Sequence, residues 1–544
     1  CSRDSIAQIT ERVRELGANR LVVAACTPIT HGALFQDSIR EAGLNPYLFE
    51  MANIRNQCSW VHAKQREAAT EKAKDLVRMS AARAARLRPL ETAEMPIVKT
   101  ALVVGGGAAG MTAALTLAEQ GFPVHLVERS DRLGGNLRQL HFGLDGPDPE
   151  RGPQAFLADL VEAVESHPLV ALHLATEVTA TGGFLGNFSS VLEPIRPPPC
   201  AEACGSGADH RIEVAHGVTV LATGGVEYRG EEYGYGTSSR IVTQQQFEAL
   251  LAQRDGGSGE VLPKSVVMIQ CVGPAEKYCA RICCTTALKN ALVLKRLDPA
   301  ARITVIYRDM RVYGFKERLY TAARESGVVF MRYEAARKPI VSSDGGDIEV
   351  RVWEEILGRE MVLRPDLLVL STPVVPAPAA QGLSNQLKVP VDMEGYFLEA
   401  HVKLRPVDFL SEGIFMAGMA HYPKLLDEAI VHSQAAAARA ARVLSRDTIT
   451  VGGQVAVVDP ALCVACLTCV RSCAYGAVRI DANLAGVGAI PGAAIIEPAL
   501  CQGCGLCAAA CPAKAIELRH YTDAQVMSKI DALFAPEASE GVPA

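Results

Sequence analysis

Residues 96–135 read PIVKTALVVGGGAAGMTAALTLAEQGFPVHLVERSDRLGG, and this stretch decides the fold. An apolar, β-branched run that reaches Val104 predicts a strand ending in the glycine-rich turn at residues 105–110. The Ala- and Leu-rich residues 111–120 predict a helix, and residues 124–127 predict a second strand that ends on Glu128. The order of strand, glycine turn, helix, strand and acid is typical of a dinucleotide-binding unit.

The glycines of this turn have distinct physical roles in such a unit. Gly105 makes the tight turn, Gly107 lets backbone N–H groups approach a pyrophosphate, and Gly110 lets the helix pack closely against the strand. The helix N-terminus adds partial positive charge to the phosphate site, and Glu128 can accept hydrogen bonds from ribose hydroxyls. We therefore predict a dinucleotide site rather than a purely structural turn. The candidate residues of the turn are Gly105, Gly107, Ala108, Ala109 and Gly110.

Three later stretches indicate which dinucleotide binds. Arg129 is followed by two glycines at 134–135, a strand predicted over 218–221 runs into ATGG, and residues 413–418 read GIFMAG. These stretches resemble the FAD domain of flavoproteins with two dinucleotide domains, the glutathione and thioredoxin reductase type. The chain departs from them at Met419, where they usually have an aspartate. The resemblance implies further FAD-binding residues at Arg129, Gly134, Gly135, Thr223, Gly224 and Gly418.

Size and composition set the broad class. A chain of 544 residues is too long for one core and predicts three or four domains. The net charge of −6 does not indicate the basic surface that nucleic-acid-binding proteins have, so nucleic acid is not an expected partner. No apolar run has the length of a membrane span. The sequence begins at Cys1 without an initiator Met or a signal peptide, so we expect that the true N-terminus has been lost.

The 17 cysteines indicate the redox compartment. Most of them cluster at short spacings that are typical of metal ligands and not of disulfide pairs. We therefore expect a reducing, cytoplasmic location and iron–sulfur clusters.

The C-terminal part contains two cysteine runs with the same spacing, within a module predicted over residues 454–518. Both runs follow C-x2-C-x2-C-x3-C, the pattern of two-cluster bacterial ferredoxins. In this pattern the first three cysteines of each run bind one [4Fe–4S] cluster and the fourth binds the other, whereas zinc would not need two such runs. The predicted ligands are Cys463, Cys466, Cys469 and Cys473, with Cys501, Cys504, Cys507 and Cys511.

A second nucleotide-domain-like unit begins with a strand predicted over residues 265–269. A nicotinamide-dependent reductase would carry its glycine fingerprint directly after this strand, but this chain continues through a cysteine into Pro274. We infer that the unit kept its fold and exchanged its nucleotide site for thiolates. Spacing alone leaves open whether these thiols bind one [4Fe–4S] cluster or form a buried cysteine-rich turn. They are Cys271, Cys279, Cys283 and Cys284.

The region before residue 96 predicts a small α/β unit with three cysteines, Cys1, Cys26 and Cys58. The last two follow predicted strands, but spacing alone favours three unrelated buried thiols. A further pair, Cys200 and Cys204, lies in a loop bounded by proline and glycine. Two thiols cannot hold a cubane alone, so we interpret this loop as structurally idle or at most a weak metal or redox pair.

These features divide the chain into parts. The predicted fold class is α/β: a flavoprotein core with two dinucleotide-binding domains, a C-terminal two-cluster bacterial ferredoxin domain and a small N-terminal α/β domain. The predicted divisions are an N-terminal domain at 1–95, an FAD domain at 96–255 completed by 400–450, a second nucleotide-domain-like unit at 256–399, the ferredoxin domain at 451–520 and a tail at 521–544.

Together these motifs resemble those of the A subunits of heterodisulfide reductases, a family of iron–sulfur flavoproteins. The resemblance implies one cluster at the middle cysteines and one in the N-terminal domain, served by Cys1, Cys26 and Cys58. It also places Lys289 near the flavin ring, where a cation would stabilise reduced, anionic flavin and raise its potential. The family's cysteine pair upstream of Cys1 is absent, so the N-terminal cluster is expected to lack a ligand from this chain. The matching stretches are 24–28, 43–60, 232–236, 270–273 and 278–284, with the FAD fingerprint and both ferredoxin runs.

The resemblance predicts an oxidoreductase, the FAD- and cluster-carrying electron-transfer subunit of a heterodisulfide reductase-like complex. Its activity would be flavin-based electron bifurcation between a two-electron partner and low-potential ferredoxin. Expected partners are the other subunits, an electron-donating module, ferredoxin and a second copy of the subunit. The alternatives are a related subunit of an aryl-CoA reductase or a quinone-linked oxidoreductase, a stand-alone NAD(P)H:acceptor flavoenzyme, and a non-catalytic scaffold.

Overall fold

The computed structural model describes residues 2–144, 152–195, 211–255, 262–276, 278–344 and 347–535. The chain forms two compact units, one of Ile97–Asp447 and one of Cys1–Pro96 with Thr448–Ala544. Within the described ranges, no helix combines the length and apolar character that crossing a bilayer requires. Cys1, Cys200 and Cys204 fall outside those ranges.

The unit Ile97–Asp447 contains a five-stranded parallel sheet that carries the glycine turn. Its strand order is Ile414–Met416, Val218–Leu221, Ala101–Val104, Val124–Val127 and Val170–His173. Its central strands Ala101–Val104 and Val218–Leu221 are almost wholly buried, as expected for a parallel sheet covered on both faces. Its helices are Ala108–Ala118, Pro153–Ser166 and Leu426–Leu444, and a three-stranded antiparallel sheet of Thr176–Phe184, Asn187–Pro194 and Ile212–His216 lies between its strands in sequence.

A second five-stranded parallel sheet follows in the same unit. Its order is Ile241–Thr243, Leu367–Leu370, Ser265–Ile269, Arg302–Tyr307 and Val329–Arg332. Its helices are Gln244–Asp255, Cys283–Leu297 and Arg318–Glu325. The remaining elements are the antiparallel strands Ile340–Asp344, Asp347–Glu354 and Arg359–Leu363, the strand pair Gly225–Glu227 and Val374–Pro376, and the helix Ala380–Leu387.

The boundary of this second sheet differs from the predicted one at residue 255. Strand Ile241–Thr243 pairs with Leu367–Leu370, so it belongs to the second sheet and not to the FAD domain. The following helix buries Phe247 and Leu251 completely in the core of that sheet. Burial of these two large side chains therefore moves the start of the second domain to about residue 240.

The other unit joins the N-terminal region to the ferredoxin module. The N-terminal part has the parallel strands Leu21–Ala25 and Phe49–Asn53 with helices Arg3–Glu15, Pro28–Glu41 and Arg66–Ala84. The ferredoxin part has the antiparallel pairs Ala456–Val458 with Ile516–Leu518 and Val478–Ala485 with Pro491–Ile496, and the short helices Thr468–Ser472 and Leu506–Ala510. Strands Thr92–Pro96 and Thr448–Gly452 pair across the two parts.

The predicted tail at 521–544 includes a helix, Asp523–Phe534, that packs on helix Arg66–Ala84. Thr522 and Gln525 form a capping box at its N-terminus, because each side chain bonds the other's backbone N–H. Residues beyond 535 lie outside the described ranges. The predicted tail therefore begins with a helix.

A buried charge cluster also ties the two parts of this unit together. Glu50 pairs with Arg83, and its other oxygen accepts from Lys529 Nζ at 3.0 Å. Arg83 also donates to the carbonyl oxygen of His520. Glu50 and Arg83 are 6% and 3% exposed, and Arg83 depends on Glu50 for its counter-charge.

Candidate functional site

The glycine turn has the shape that a dinucleotide cradle requires. Gly105 has φ +113°, which favours glycine, and a Cβ there would clash with the carbonyl oxygen of Ala222. A Cβ on Gly110 would clash with the Gly105 carbonyl oxygen, so this glycine permits the close approach of helix to strand. A Cβ on Gly107 would meet nothing within 4 Å, which leaves open space in front of the helix N-terminus.

This open space is part of a cavity of about 480 Å³ within the unit Ile97–Asp447. Its lining includes Met419 and, from the second sheet's elements, Cys283 and Thr286. Three of the predicted cofactor residues, Gly110, Gly134 and Gly418, do not line the cavity. Gly110 packs closely against Gly105, and Gly134 N donates to the carbonyl oxygen of Gly106 at 2.9 Å. Gly418 N donates to His432 Nδ1 at 3.1 Å. The predicted residues that line the cavity are Gly105, Gly107, Ala108, Ala109, Glu128, Arg129, Gly135, Thr223 and Gly224.

Two hydroxyls in the cavity wall have no partner among the described residues. Thr223 Oγ1 and Thr372 Oγ1 are both buried without a hydrogen bond, and both residues line the cavity. An unsatisfied buried polar group costs about 1–3 kcal/mol, so such groups are normally paired. A polar ligand in the cavity would satisfy both hydroxyls, and the phosphate, ribityl and ring groups of FAD fit this requirement.

Glu128 is anchored by the backbone as well as facing the cavity. It is 8% exposed, its Oε2 accepts from Gly106 N at 2.6 Å, and its Oε1 accepts from Ser130 N at 2.7 Å. Each carboxylate oxygen has a second lone pair for another donor. The structure thus adds a role that the sequence pattern does not predict, because Glu128 fixes the glycine turn itself.

Lys289 does not present a free cation. It is 3% exposed, and its Nζ donates to Glu248 Oε2 at 2.7 Å and to the carbonyl oxygen of Phe142 at 3.1 Å. Glu248 lines the cavity, whereas Lys289 does not. Burial lowers the pKa of Lys289, and the Glu248 carboxylate opposes that shift. The cation that the family resemblance places near the flavin ring is therefore one half of a buried ion pair.

The four middle cysteines come together around one small cavity. Cys271 follows strand Ser265–Ile269, while Cys283 and Cys284 begin helix Cys283–Leu297. Cys271 has φ +62°, an uncommon conformation for a residue with a side chain. Burial, followed by the neighbouring thiols, raises the pKa of Cys283, and burial raises that of Cys284 to about 11. The chain thus brings four thiols together at one point, with Cys279 as the fourth, and Cys284 is the buried residue among them.

Cys283 contributes to two cavities. It lines the small cavity of the four cysteines and also the large cavity that begins at Gly105. The small cavity has three arginines in its wall, Arg281, Arg308 and Arg311. A group held by these cysteines would therefore lie beside a ligand of the large cavity, and the wall around it also includes Asp309.

The ferredoxin cysteines are interleaved in space as the spacing predicts. Cys463, Cys466 and Cys469 line one cavity together with Cys511, the last cysteine of the other run. Backbone N–H groups point at two of these sulfurs, from Ala494 to Cys463 at 3.4 Å and from Ala515 to Cys511 at 3.3 Å. Such bonds are one means by which proteins tune cluster potentials.

The other three cysteines of the complementary set lie around Cys507. Burial and then the neighbouring thiols, which include Cys501, Cys504 and Cys473, raise its pKa to about 11. Within the described ranges, no three His, Cys, Asp or Glu side chains have the spacing of a single-ion site. Four thiolates around a cubane lie further apart, because the iron–sulfur core fills the space between them.

Two of the three N-terminal cysteines, Cys26 and Cys58, follow the strands of the small parallel sheet. Cys26 follows strand Leu21–Ala25, and Cys58 lies on the single π-helical turn Arg55–Trp60 after the neighbouring strand. Cys58 is 2% exposed, and Arg55 Nη1 lies 3.6 Å from Cys26 Sγ.

Sequence reasoning missed Lys424, which lines the large cavity. It stands directly before helix Leu426–Leu444. A cation is unfavourable at a helix N-terminus, and this unusual position was the signal in the sequence.

The comparisons with known proteins cover both modules. Residues 103–164 match the family NAD(P)-binding Rossmann-like domain, and residues 462–515 match the 4Fe-4S dicluster domain. Among solved structures, the thioredoxin reductase of Lactococcus lactis aligns with 64% of this chain and 99% of its own, at 18% identity and a TM-score of 0.44.

Some relatives match almost the whole chain, and two examples show this. The A subunit of the H(2):CoB-CoM heterodisulfide,ferredoxin reductase of Methanothermobacter marburgensis is 33% identical over 99% of this chain and 92% of its own length. The iron-sulfur A subunit of the CoB--CoM heterodisulfide reductase of Methanocaldococcus jannaschii is 33% identical over 96% of this chain and 90% of its own. The chain therefore belongs to the family of heterodisulfide reductase A subunits, whose members are iron–sulfur oxidoreductase subunits.

Proposed function

We propose that this chain is the FAD-carrying, electron-distributing subunit of a heterodisulfide reductase-like complex. One observation carries the proposal: Cys283 lines both the dinucleotide cavity and the cavity of the four middle cysteines. A cluster held by these cysteines would lie beside the flavin, where a nicotinamide would lie in a flavin reductase. The chain would then exchange electrons with its flavin through clusters.

The residues of the large cavity have defined tasks in this proposal. Gly107 and the N-terminus of helix Ala108–Ala118 would hold the pyrophosphate, and Glu128 would hold the adenosine ribose. Thr223 and Thr372 would donate or accept hydrogen bonds along the ligand. When bound, FAD supplies the exchange between two-electron and one-electron chemistry.

The cysteine sets would form the paths for single electrons. The two interleaved ferredoxin sets would hold two clusters, the middle cysteines one, and Cys26 and Cys58 would contribute to one in the N-terminal domain, with Cys1 as a further candidate. The names of the two relatives above describe subunits of CoB–CoM heterodisulfide reductases, and the name of the Methanothermobacter marburgensis enzyme also includes ferredoxin. We propose flavin-based electron bifurcation with other subunits, an electron-donating module and ferredoxin as partners, and a second copy of this chain in the assembly.

Cofactor content tests this proposal. We expect one FAD and about four [4Fe–4S] clusters, hence about 16 iron atoms, in the anaerobically purified chain. Iron at only about eight per FAD would mean that just the ferredoxin module is loaded. Direct reduction by NADH in a stopped-flow experiment would instead favour a stand-alone flavoenzyme.

A further inference from the structure

Lys424 is a buried lysine of the large cavity for which the functions proposed above have no task. It lines the cavity beside Met419 and Leu425, and the residue is 6% exposed. It precedes helix Leu426–Leu444, whose N-terminal dipole disfavours a positive charge. A lysine that is both buried and placed against a helix dipole is destabilising when charged, which indicates a functional reason for its position.

The Lys424 ammonium has polar contacts but no paired carboxylate among the described residues. Its Nζ lies 3.4 Å from His421 Nδ1 and 3.5 Å from the carbonyl oxygen of Tyr422. It also lies 3.2 Å from the centroid of the Tyr422 ring. By contrast, the other buried lysine of this region, Lys289, is fully paired with Glu248.

Glu428, an acidic residue of the adjoining helix that attracts Lys424, is engaged elsewhere. Glu428 Oε2 accepts from Leu425 N at 3.0 Å. Its Oε1 accepts from the Tyr313 hydroxyl at 2.8 Å and from Arg281 at 3.3 Å. Glu428 therefore attracts Lys424 only at a distance, while Arg281 repels it. Burial, followed by the charge of Arg281 and opposed by the acidic residues Glu428 and Glu399, lowers the pKa of Lys424 to about 7.

His421 orients the lysine and is itself held by a carboxylate. His421 Nε2 lies 2.7 Å from Glu399 Oε2, and the two side chains are 10% and 12% exposed. Burial and the Lys424 charge lower the pKa of His421 to about 4, so the ring is neutral at pH 7. The Glu399 carboxylate favours the tautomer with the proton on Nε2, which leaves Nδ1 to accept from Lys424. His432 stacks on His421 with ring centroids 5.3 Å apart.

The chemistry of the proposed function needs a proton donor in this cavity. Iron–sulfur clusters transfer electrons without protons, whereas two-electron reduction of a flavin at neutral pH takes up one proton. This inference therefore rests on the proposed function. We propose that Lys424 donates that proton when the flavin is reduced and takes it back when the flavin is oxidised, with His421 and Glu399 as positioning residues.

The step balances in both directions. For each electron pair that arrives through the clusters, one N–H bond of the Lys424 ammonium breaks and one N–H bond forms on the reduced isoalloxazine. The ammonium becomes a neutral amine with its lone pair in the cavity. When the electron pair leaves through the clusters, the proton returns to the amine. The clusters therefore carry the electrons in both directions, and Lys424 is the only acid that the step requires.

The first test measures Lys424 without flavin. Lysines of the flavin-free chain are labelled by reductive methylation with [13C]formaldehyde, and the signal absent from Lys424→Met is followed against pH by NMR. We expect a midpoint near 7. In Glu399→Gln the midpoint should fall, because the carboxylate that favours the charged form is gone. A midpoint near the ordinary lysine value of 10.5 would overturn the inference.

The second test uses the flavin-loaded chain and a strong one-electron reductant in stopped flow. Lys424→Met and Lys424→Arg should each slow full flavin reduction about 10²-fold. The methionine has no proton to donate, and the arginine keeps the positive charge but does not release its proton. The wild-type rate should fall as the pH rises through about 7, and the Lys424→Arg rate should not. The exposed Lys403→Met is the matched control and should behave as wild type.

The outcomes separate this inference from the proposed function. If Lys424→Arg is reduced as fast as wild type, only charge matters and the proton-donor role is wrong. If the wild-type chain binds no flavin, the proposed function fails, and this inference fails with it. If flavin binds and Lys424 titrates as an ordinary lysine, the proposed function stands and this inference alone is wrong.

Discussion

Lys289 Nζ lies 2.7 Å from Glu248 Oε2, and both side chains are almost completely buried. Glu248 Oε1 also accepts from His141 N and Phe142 N, at 2.8 and 3.0 Å. The pair has no net charge, so Lys289 alone does not set the electrostatic environment of the flavin. Because Glu248 lines the cavity and Lys289 does not, the carboxylate is the closer charge for a bound ligand.

This pair predicts opposite changes in the flavin potential. Lys289→Met leaves a lone carboxylate beside the cavity and should lower the midpoint potential, because negative charge disfavours an anionic reduced flavin. Glu248→Gln leaves the lysine cation and should raise it. Spectroelectrochemical titration measures both, with the exposed Glu165→Gln as a control. Shifts of the same sign in the two variants would show that the pair does not act through its charge.

Glu128 is expected to control FAD retention. Glu128→Ala removes the acceptor for Gly106 N and Ser130 N as well as the proposed ribose contact, so the glycine turn loses its anchor. We expect flavin to be lost on gel filtration while the ferredoxin clusters keep their absorbance. The exposed Glu119→Ala, at the end of the neighbouring helix, should keep its flavin. Equal flavin content in the two variants would rule out a ribose role for Glu128.

The interleaving of the ferredoxin cysteines predicts which variants share a phenotype. Cys511→Ser and Cys466→Ser should perturb the same cluster, because both residues line one cavity. Cys473→Ser and Cys504→Ser should perturb the other, because both lie near Cys507. EPR spectra of the reduced variants should therefore fall into these two pairs. Spectra that group by cysteine run, with Cys466 and Cys473 together, would contradict the interleaving.

The Glu50–Arg83 pair predicts a large cost for breaking one buried contact. Glu50→Ala leaves Arg83 buried without a counter-charge and should destabilise its unit by about 3–5 kcal/mol. Glu71→Ala breaks the exposed pair with Lys74 on the same helix as Arg83 and should cost at most about 0.5 kcal/mol. Urea midpoints of the two variants provide the comparison. Similar midpoints would show that the buried pair is not structurally important.

Features that depend on local spacing could be predicted from the sequence. The turn at Gly105 and Gly110 and the two ferredoxin runs have fixed offsets with a direct steric or coordination reason, and the structure has the elements where those offsets place them. The boundary near residue 240 could not be predicted, because it depends on which sheet Phe247 packs against. That packing depends on contacts with segments far away in the sequence, such as strand Leu367–Leu370.

The pairing of the charged side chains around the large cavity could not be predicted from local sequence patterns either. Lys289 and Glu248 are 41 residues apart, and their pairing follows from the packing of two helices on one sheet. Lys424 has no paired carboxylate among the described residues for a similar reason, because Arg281 and Tyr313 come from distant segments to engage Glu428. The capping box at Thr522 and Gln525, in contrast, was a local signal that could have revealed the C-terminal helix.

The central claim is that a cluster at the middle cysteines lies beside the flavin, and replacing Cys283 and Cys284 by Ser tests it most directly. The loop variant Cys200→Ser with Cys204→Ser is the matched control. We predict that the Cys283/Cys284 variant loses about four iron atoms and one EPR signal and keeps its FAD and ferredoxin clusters. It should also lose electron transfer from FAD to the cluster proposed for the N-terminal domain. Full iron content with full turnover in the complex would contradict the account.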